Sequence, residues 1–239
     1  MKIGLFDSGI GGLNVLKEFL KKYPQNEYYY YGDTKNIPYG NKDKDTLLKL
    51  SLKAIHFFEQ KQVDLIVIAC GTVSSNCYLE LKKQTKIPIF DIISSTIAYV
   101  NSKTFQNILV FGTERTIESH IFKNNLKGMT TEIKTPEFVP MIENLQIDSQ
   151  IIAKYLKNFQ DIDCLILGCT HYPILKAEFL KYLPSNVEII DMGECLVNKI
   201  SLEDSNKQSV NLYFTKISDS LLKNIKKILD CNYSLNNIE

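Results

Sequence analysis

Two cysteines stand at the ends of two similar apolar segments, and their spacing makes them the residues best suited to chemistry. The segments cover residues 64–70 and 163–169; each begins with Asp, continues through apolar residues and ends in Cys. Such a short apolar run is typical of a strand buried on both faces. Because ligands of open α/β sheets bind beyond the carboxyl ends of the strands, we predict that Cys70 and Cys169 lie at a functional site.

A pair of thiols in matched positions favours proton transfer. A cysteine thiol has a reference pKa of about 8.5, close enough to working pH to act as both acid and base. Two thiols could remove a proton from one face of a carbon and return one to the other face. A nucleophilic cysteine would need an adjacent base; His171 lies near Cys169 in sequence, whereas Cys70 has no neighbouring histidine. Burial of both thiols as packing residues is the weaker interpretation.

The composition is that of an ordinary globular protein and excludes several classes of function. The 239 residues are 44% hydrophobic and 23% charged, with a net charge of +1, so nothing indicates nucleic acid or an anionic membrane as a partner. No apolar run approaches the roughly 20 residues of a membrane span. The N-terminus shows no signal peptide. We therefore expect a cytoplasmic protein whose partner is a small-molecule substrate.

The cysteine and histidine spacings predict neither a disulfide scaffold nor a metal site. The other four cysteines are expected to be packing residues, and the other two histidines structural or surface groups. These residues are Cys77, Cys164, Cys195, Cys231, His56 and His120.

A glycine-rich segment follows the first predicted strand and begins a predicted helix. It starts at Asp7 and contains Gly9, Gly11 and Gly12. A dinucleotide fingerprint requires Gly at its first, third and sixth positions, but the sixth residue counted from Gly9 is Asn14. Backbone N–H groups of such a loop suit a carboxylate ligand. A tight turn alone would explain the glycines but not a carboxylate at a strand end.

Strands and helices alternate along the chain, which predicts βαβ units and mostly parallel sheets. The pattern restarts at about Ser94. We predict two similar α/β lobes that face each other across a central cleft and are related by a pseudo-twofold axis. The first lobe would comprise residues 1–95 with 206–239, and the second residues 96–205. Single helices are expected over 114–126 and from Pro140 to about Phe159, and the tail is expected to hold one strand (210–214) and one helix (218–229).

Five motifs, in order along the chain, resemble the glutamate racemase family of the aspartate/glutamate racemase superfamily. Each is weak alone, but five in this order are highly specific, and the resemblance covers nearly the whole chain. The motifs are Asp7-Ser8-Gly9-Ile10-Gly11-Gly12; Gly32-Asp33-Thr34 with Pro38-Tyr39-Gly40; Ala69-Cys70-Gly71-Thr72-Val73-Ser74; Val139-Pro140-Met141-Ile142-Glu143; and Gly168-Cys169-Thr170-His171-Tyr172-Pro173.

The resemblance implies interconversion of L- and D-glutamate without a cofactor, for peptidoglycan synthesis, by an enzyme that is often a homodimer. Cys70 would take the α-proton of D-glutamate with help from Asp7, and Cys169 that of L-glutamate with help from His171. The implied catalytic residues are Cys70, Cys169, Asp7, His171, Glu143 and Asp33. The implied substrate-binding residues are Asp7, Ser8, Pro38, Tyr39, Gly40, Gly71, Thr72, Thr113, Thr116, Thr170 and His171.

The sequence departs from the family pattern at Gly71, where the family usually has Asn. That side-chain amide normally contacts the α-groups of the substrate, and Gly71 keeps only its backbone N–H. Losing one hydrogen bond to a charged group costs about 1.5–3 kcal/mol. Gly71 is the only sequence support for one alternative, a binding or regulatory paralogue with impaired turnover. A second alternative, independent of Gly71, is a racemase of aspartate or another small acid.

Overall fold

The computed structural model describes residues 1–203, 205 and 207–238. Its strands form two sheets in which every described strand pair is parallel. The first sheet contains β1 (Lys2–Asp7), β2 (Glu27–Gly32), β3 (Leu65–Ile68), β4 (Ile89–Asp91), β9 (Ser209–Phe214) and β10 (Ser234–Asn237). The second contains β5 (Asn107–Gly112), β6 (Met129–Lys134), β7 (Cys164–Gly168) and β8 (Glu188–Asp191).

The strand orders of the two sheets reveal an internal repeat. The first sheet has the order β10-β9-β2-β1-β3-β4 and the second the order β6-β5-β7-β8. The segment β2-β1-β3-β4 therefore has the same connectivity as β6-β5-β7-β8. Each cysteine follows the equivalent strand, β3 or β7, and both strands are buried along their whole length. The predicted fold of two similar parallel α/β halves is confirmed.

Helices cover these sheets and connect the strands. Their ends follow local capping chemistry; for example, the side chains of Asp43 and Ser218 accept hydrogen bonds from backbone N–H groups in the first turns of their helices. The helices are α1 (Gly12–Lys22), α2 (Lys44–Lys61), α3 (Gly71–Leu81), α4 (Ile92–Asn101), α5 (Glu114–Glu118), α6 (Ile121–Asn125), α7 (Phe138–Glu143), α8 (Ser149–Leu156), a 3₁₀ turn (Tyr172–Leu175), α9 (Lys176–Phe179), α10 (Met192–Lys199) and α11 (Asp219–Ile228).

Two helices predicted to be continuous are each broken in the structure. The helix expected over 114–126 is divided into α5 and α6 by His120, whose φ is 52°. The helix expected from Pro140 to about Phe159 is divided into α7 and α8, and Leu145 between them has a φ of 58°. Neither break contains Gly or Pro, so apolar periodicity did not reveal it. The second break ends α7 at Glu143.

The C-terminal segment holds one strand more than predicted. β9 and α11 lie where a strand and a helix were expected, and β10 follows them as an edge strand paired with β9. β9 pairs with β2, which brings the tail back to the first sheet. The predicted limits of the lobes stay a prediction, and their end points at residues 206 and 239 lie outside the described residues.

Candidate active site

A cavity of about 250 Å³ lies between the carboxyl ends of the two sheets. Both halves of the molecule contribute to its wall, and both predicted thiols belong to it. The lining residues are Ser8, Ile37, Pro38, Tyr39, Gly40, Asn41, Cys70, Gly71, Thr72, Thr113, Glu114, Thr135, Pro136, Val139, Pro140, Glu143, Gly168, Cys169, Thr170 and His171.

Cys70 lies between β3 and α3, as the N-cap residue of that helix, and is 5% exposed. Its Sγ donates a hydrogen bond to Oγ of Ser8, at 3.6 Å. Burial and, to a smaller extent, the nearby carboxylate of Asp7 together raise the pKa of the Cys70 thiol to about 12, because both disfavour the thiolate. Cys70 is therefore a thiol when the cavity is empty.

Cys169 follows β7 and has a different set of partners. Its Sγ lies 3.7 Å from Nδ1 of His171, and Nε2 of the same ring lies 2.7 Å from Oε1 of Glu143. Burial lowers the pKa of His171, but the hydrogen bonds to Cys169 and Glu143 raise it and prevail, so it lies well above the ordinary value. His171 is therefore an imidazolium, held between the Cys169 sulfur and the Glu143 carboxylate.

Asp7 is fully buried at the end of β1 and lies behind the cavity wall. Its Oδ1 accepts a hydrogen bond from the Gly9 N–H (2.9 Å), and its Oδ2 accepts one from Oγ1 of Thr170 (3.0 Å). Burial raises the pKa of Asp7, although the charge of His171 and these hydrogen bonds oppose the rise. Asp7 was expected beside Cys70, yet its direct side-chain partner is the threonine next to the other cysteine.

The glycine-rich loop packs directly against the second cysteine motif. A Cβ added at Gly11 would lie 2.3 Å from Oγ1 of Thr170 and 2.5 Å from Nδ1 of His171. The side chain of Asn14 also donates a hydrogen bond to the Thr170 carbonyl, at 2.8 Å. Gly11 thus permits a close approach of the two halves that any larger residue would prevent.

Asp33 lies outside the cavity wall and supports it from behind. Its carboxylate accepts hydrogen bonds from the Tyr39 hydroxyl (2.6 Å), from the Asn36 amide (2.9 Å) and from Oγ1 of Thr215 (2.7 Å). Tyr39 itself lines the cavity. The structure thus places Asp33 at the base of the loop that carries Tyr39, and not beside either thiol.

A chain of three threonine hydroxyls connects the two halves at the cavity. Oγ1 of Thr72 lies 2.9 Å from Oγ1 of Thr113, which lies 2.9 Å from Oγ1 of Thr116. Thr72 and Thr113 line the cavity, whereas Thr116 is buried behind Thr113. Of the predicted site residues, only Asp7, Asp33 and Thr116 lie outside the cavity wall.

Several lining residues were not predicted as site residues. Thr135 follows β6 directly, so the rule applied to the cysteines, a polar residue beyond a strand end, would have found it. Its hydroxyl lies 2.7 Å from the Tyr172 hydroxyl. Val139, Pro140 and Gly168 belong to the motifs quoted above but were not assigned a role. The remaining unpredicted residues carried no sequence signal of their own: Ile37, Asn41, Glu114 and Pro136.

The cysteines and histidines outside the site behave mostly as expected. Cys77, Cys164 and Cys195 are buried, as predicted for packing residues. The packing prediction is wrong for Cys231, which follows α11 on the surface and is exposed. His56 and His120 are surface groups, with exposed side chains that pair with glutamates.

Within residues 1–203, 205 and 207–238, no three His, Cys, Asp or Glu side chains are arranged to hold a metal ion. The helices of this described part are all too short or too polar to cross a membrane.

Comparison with known proteins defines the class. The sequence model of the Asp/Glu/Hydantoin racemase family matches residues 14–200, and the chain belongs to this family. A glutamate racemase from Aquifex pyrophilus is 39% identical over 98% of this chain and 96% of its own length.

Solved structures of glutamate racemases share the whole architecture. A glutamate racemase isoform from Bacillus anthracis superimposes with a TM-score of 0.91 at 26% identity, over 99% of this chain and 97% of its own. The glutamate racemase of Francisella tularensis, solved in complex with D-glutamate, superimposes with a TM-score of 0.85 at 28% identity, over 100% and 97% of the two chains. The fold and the enzyme class are thus those of an amino-acid racemase.

Proposed function

We propose that this chain interconverts L- and D-glutamate by direct proton transfer at the α-carbon, without a cofactor. The observation that carries the proposal is that Cys70 and Cys169, from equivalent strands of the two halves, line one cavity. The glutamate racemases that match over nearly the full chain support glutamate as the substrate.

The unlike surroundings of the two thiols support a two-base mechanism. An imidazolium, that of His171, lies beside Cys169, whereas burial keeps Cys70 a thiol. In our proposal the Cys169 thiolate removes the α-proton of L-glutamate, and Cys70 delivers its proton to the opposite face, which yields D-glutamate. The reverse reaction begins with a Cys70 thiolate and a Cys169 thiol.

The cavity wall offers neutral hydrogen-bond donors for the carboxylates of glutamate. Ser8 and Thr72, which carry hydroxyls, line it together with the N-terminus of α3 at Gly71, whereas the Thr170 hydroxyl already donates to Asp7. In the described part of the chain no Lys or Arg side chain lines this cavity. Fixed dipoles of this kind stabilise charge that develops in a transition state without the cost of reorienting water.

The test of this mechanism is incorporation of solvent deuterium at Cα of L- and D-glutamate, with no added cofactor. We expect the wild type to exchange and racemise both enantiomers. Cys70→Ser and Cys169→Ser should each abolish racemisation, because a hydroxyl is a much weaker acid than a thiol. Cys231→Ser, which changes an exposed cysteine away from the cavity, is the matched control and should keep full activity. Binding of glutamate without label at Cα would contradict the proposal.

We further propose that the product serves peptidoglycan synthesis in the cytoplasm and that the enzyme acts as a homodimer. Expression in a bacterium that requires D-glutamate should restore growth without the supplement, and the Cys70→Ser variant should not. Light scattering in solution would measure the oligomeric state, and a monomer at all concentrations would refute that part.

A further inference from the structure

The loop between β2 and α2 forms one wall of the cavity at its mouth. We call residues 37–42 the mouth loop. All but the last of these residues line the cavity. Within the loop, the Tyr39 hydroxyl donates a hydrogen bond to Asp33, which belongs to the same half of the molecule. At its C-terminal end, however, the mouth loop forms hydrogen bonds with the other half of the molecule.

Arg115, in α5, provides the contacts at that end. Its backbone N–H donates to the Gly40 carbonyl at 3.0 Å, and its Nε donates to the Lys42 carbonyl at 2.8 Å. Gly40 also packs tightly on Thr113, since a Cβ added there would lie 2.9 Å from the threonine Cβ. The mouth loop therefore bridges the two halves through the residues at the start of α5.

The guanidinium is held in an orientation that suits this contact. Nη1 of Arg115 lies 3.4 Å from Oε2 of Glu118, whose other oxygen lies 2.7 Å from Nζ of Lys134. Ion pairs this exposed contribute little free energy by themselves, but they restrict the rotation of the planar group. Arg115 is the only arginine among the 239 residues, in a chain that otherwise uses lysine for every permanent positive charge.

We propose that Arg115 is a positioning residue that fastens the mouth loop over the cavity and so retains the substrate. A closed mouth excludes water and keeps the substrate oriented between the two bases. The catalytic consequence rests on the racemase function proposed above, whereas the fastening of the loop does not. Arg115 has no contact with either thiol, so its loss should affect substrate retention more than proton transfer.

The test combines Arg115→Ala with amide hydrogen exchange and steady-state kinetics. Peptides that contain residues 37–42 should exchange faster in the variant, by about tenfold, because one side-chain hydrogen bond to the loop is lost. KM for glutamate should rise by about tenfold, with kcat changed less than threefold. Arg115→Lys, which keeps a long cationic donor, should recover part of both effects. Glu118→Ala removes the ion pair but leaves both hydrogen bonds from Arg115 to the loop, so it should change each readout less than Arg115→Ala does.

The two readouts separate failure of this proposal from failure of the proposed function. Unchanged exchange of the mouth loop in Arg115→Ala would overturn the fastening role, whatever the activity. Faster exchange with KM unchanged would refute its role in substrate retention. A wild type inactive on glutamate would refute the proposed function, while hydrogen exchange would still decide whether Arg115 holds the loop.

Discussion

Single side chains make the two thiols unequal although the backbone around them is repeated. Cys169 has a buried histidine beside it, and that histidine has a glutamate behind it. Cys70 has the Ser8 hydroxyl and the Val73 backbone N–H as hydrogen-bond partners, and its burial and the nearby carboxylate of Asp7 oppose its ionisation. The two thiols therefore meet the cavity in unlike surroundings, which is the basis for the unlike roles proposed for them.

Replacement of Glu143 by Gln should weaken the support of the imidazolium. The hydrogen bond and charge of Glu143 raise the pKa of His171, so this pKa should fall in the variant. The imidazolium is lost as pH rises through that pKa. The alkaline limb of the pH–rate profile should therefore lie at lower pH in the variant than in the wild type. We expect kcat at neutral pH to fall about 10- to 100-fold. The measurements are a pH–rate profile and an NMR titration of His171.

Glu137→Gln is the matched control for that change, since Glu137 is exposed at the start of the same helix. Its profile should equal that of the wild type. An unshifted alkaline limb in Glu143→Gln would contradict the assignment of His171 as an imidazolium.

Gly11→Ala should displace the groups beside Cys169. The new Cβ would lie 2.3 Å from Oγ1 of Thr170 and 2.5 Å from Nδ1 of His171, so both must move. A displacement near 1 Å at a catalytic group can cost about 100-fold in rate. We expect a loss of that order in kcat, measured by circular dichroism on D- or L-glutamate. Gly193→Ala, whose nearest neighbour would be 3.2 Å away, should retain most activity; equal losses in both variants would contradict the prediction.

At the level of elements, strand ends and helix caps place the functional groups. The repeated order of β2-β1-β3-β4 and β6-β5-β7-β8 brings β3 and β7 to equivalent positions, and a cysteine follows each. The ends of β4 and β8 have no thiol but carry capping carboxylates. Asp91 and Asp191 each accept a backbone N–H at the start of the next helix. These caps set the starts of α4 and α10, two helices that pack against each other.

Asp191→Asn should stabilise the protein above pH 6. Burial raises the pKa of Asp191 to about 6, and Glu194 and Glu18 add to the rise, so the folded state binds this proton more tightly than the unfolded state. The contribution of the protonated Asp191 to the free energy of unfolding is fully present below about pH 4 and is lost as pH rises through 6. Asn can cap α10 without a charge. We expect a gain of about 1–3 kcal/mol at pH 7 and none at pH 4.

Urea unfolding at several pH values measures this difference. Asp43→Asn is a suitable comparison, because Asp43 caps α2 on the surface and its pKa is lowered by hydrogen bonds from Thr46. That variant should gain nothing at pH 7. A constant stability difference between Asp191→Asn and the wild type across pH would contradict the prediction.

At the scale of the whole molecule, the site exists only where the two halves meet. Hydrogen bonds join Asp7 to Thr170 and Thr72 to Thr113. In each pair, one residue lies at a strand end of the first sheet and the other at a strand end of the second. A ligand between the sheets should therefore hold both halves together and stabilise the folded chain.

Saturating D-glutamate should raise the melting temperature. At 100 times its Kd a ligand stabilises the native state by about 2.7 kcal/mol, which corresponds to about 5–11 °C for a chain of this size. Thr72→Val removes the hydroxyl that meets Thr113 and should require more ligand for the same shift. D-Lysine, with a cationic side chain, is the control and should give none. An equal shift with D-lysine would contradict recognition of the side-chain carboxylate of glutamate.

Much of this organisation could be predicted from the sequence because it depends on local patterns. Buried parallel strands have continuous apolar runs, and polar residues at their ends mark a ligand site. The two matched runs before Cys70 and Cys169 therefore predicted the sheets, the repeat and the thiols. The breaks at His120 and Leu145 could not be predicted in this way, since these residues adopt positive φ without a glycine signal.

The sequence by itself determined most of the strands and helices, their parallel pairing and the residue types at the strand ends, because these follow from local periodicity; the breaks at His120 and Leu145 and the edge strand β10 were not determined in this way. Only the tertiary structure decided which of those residues meet. Asp7 accepts a hydrogen bond from Thr170 and not from Cys70. Asp33 accepts one from Tyr39 behind the cavity wall, and Arg115 donates one to the mouth loop. Such contacts depend on how the two sheets approach each other, and that approach is set by close packing at positions such as Gly11, far apart in sequence from the groups it contacts.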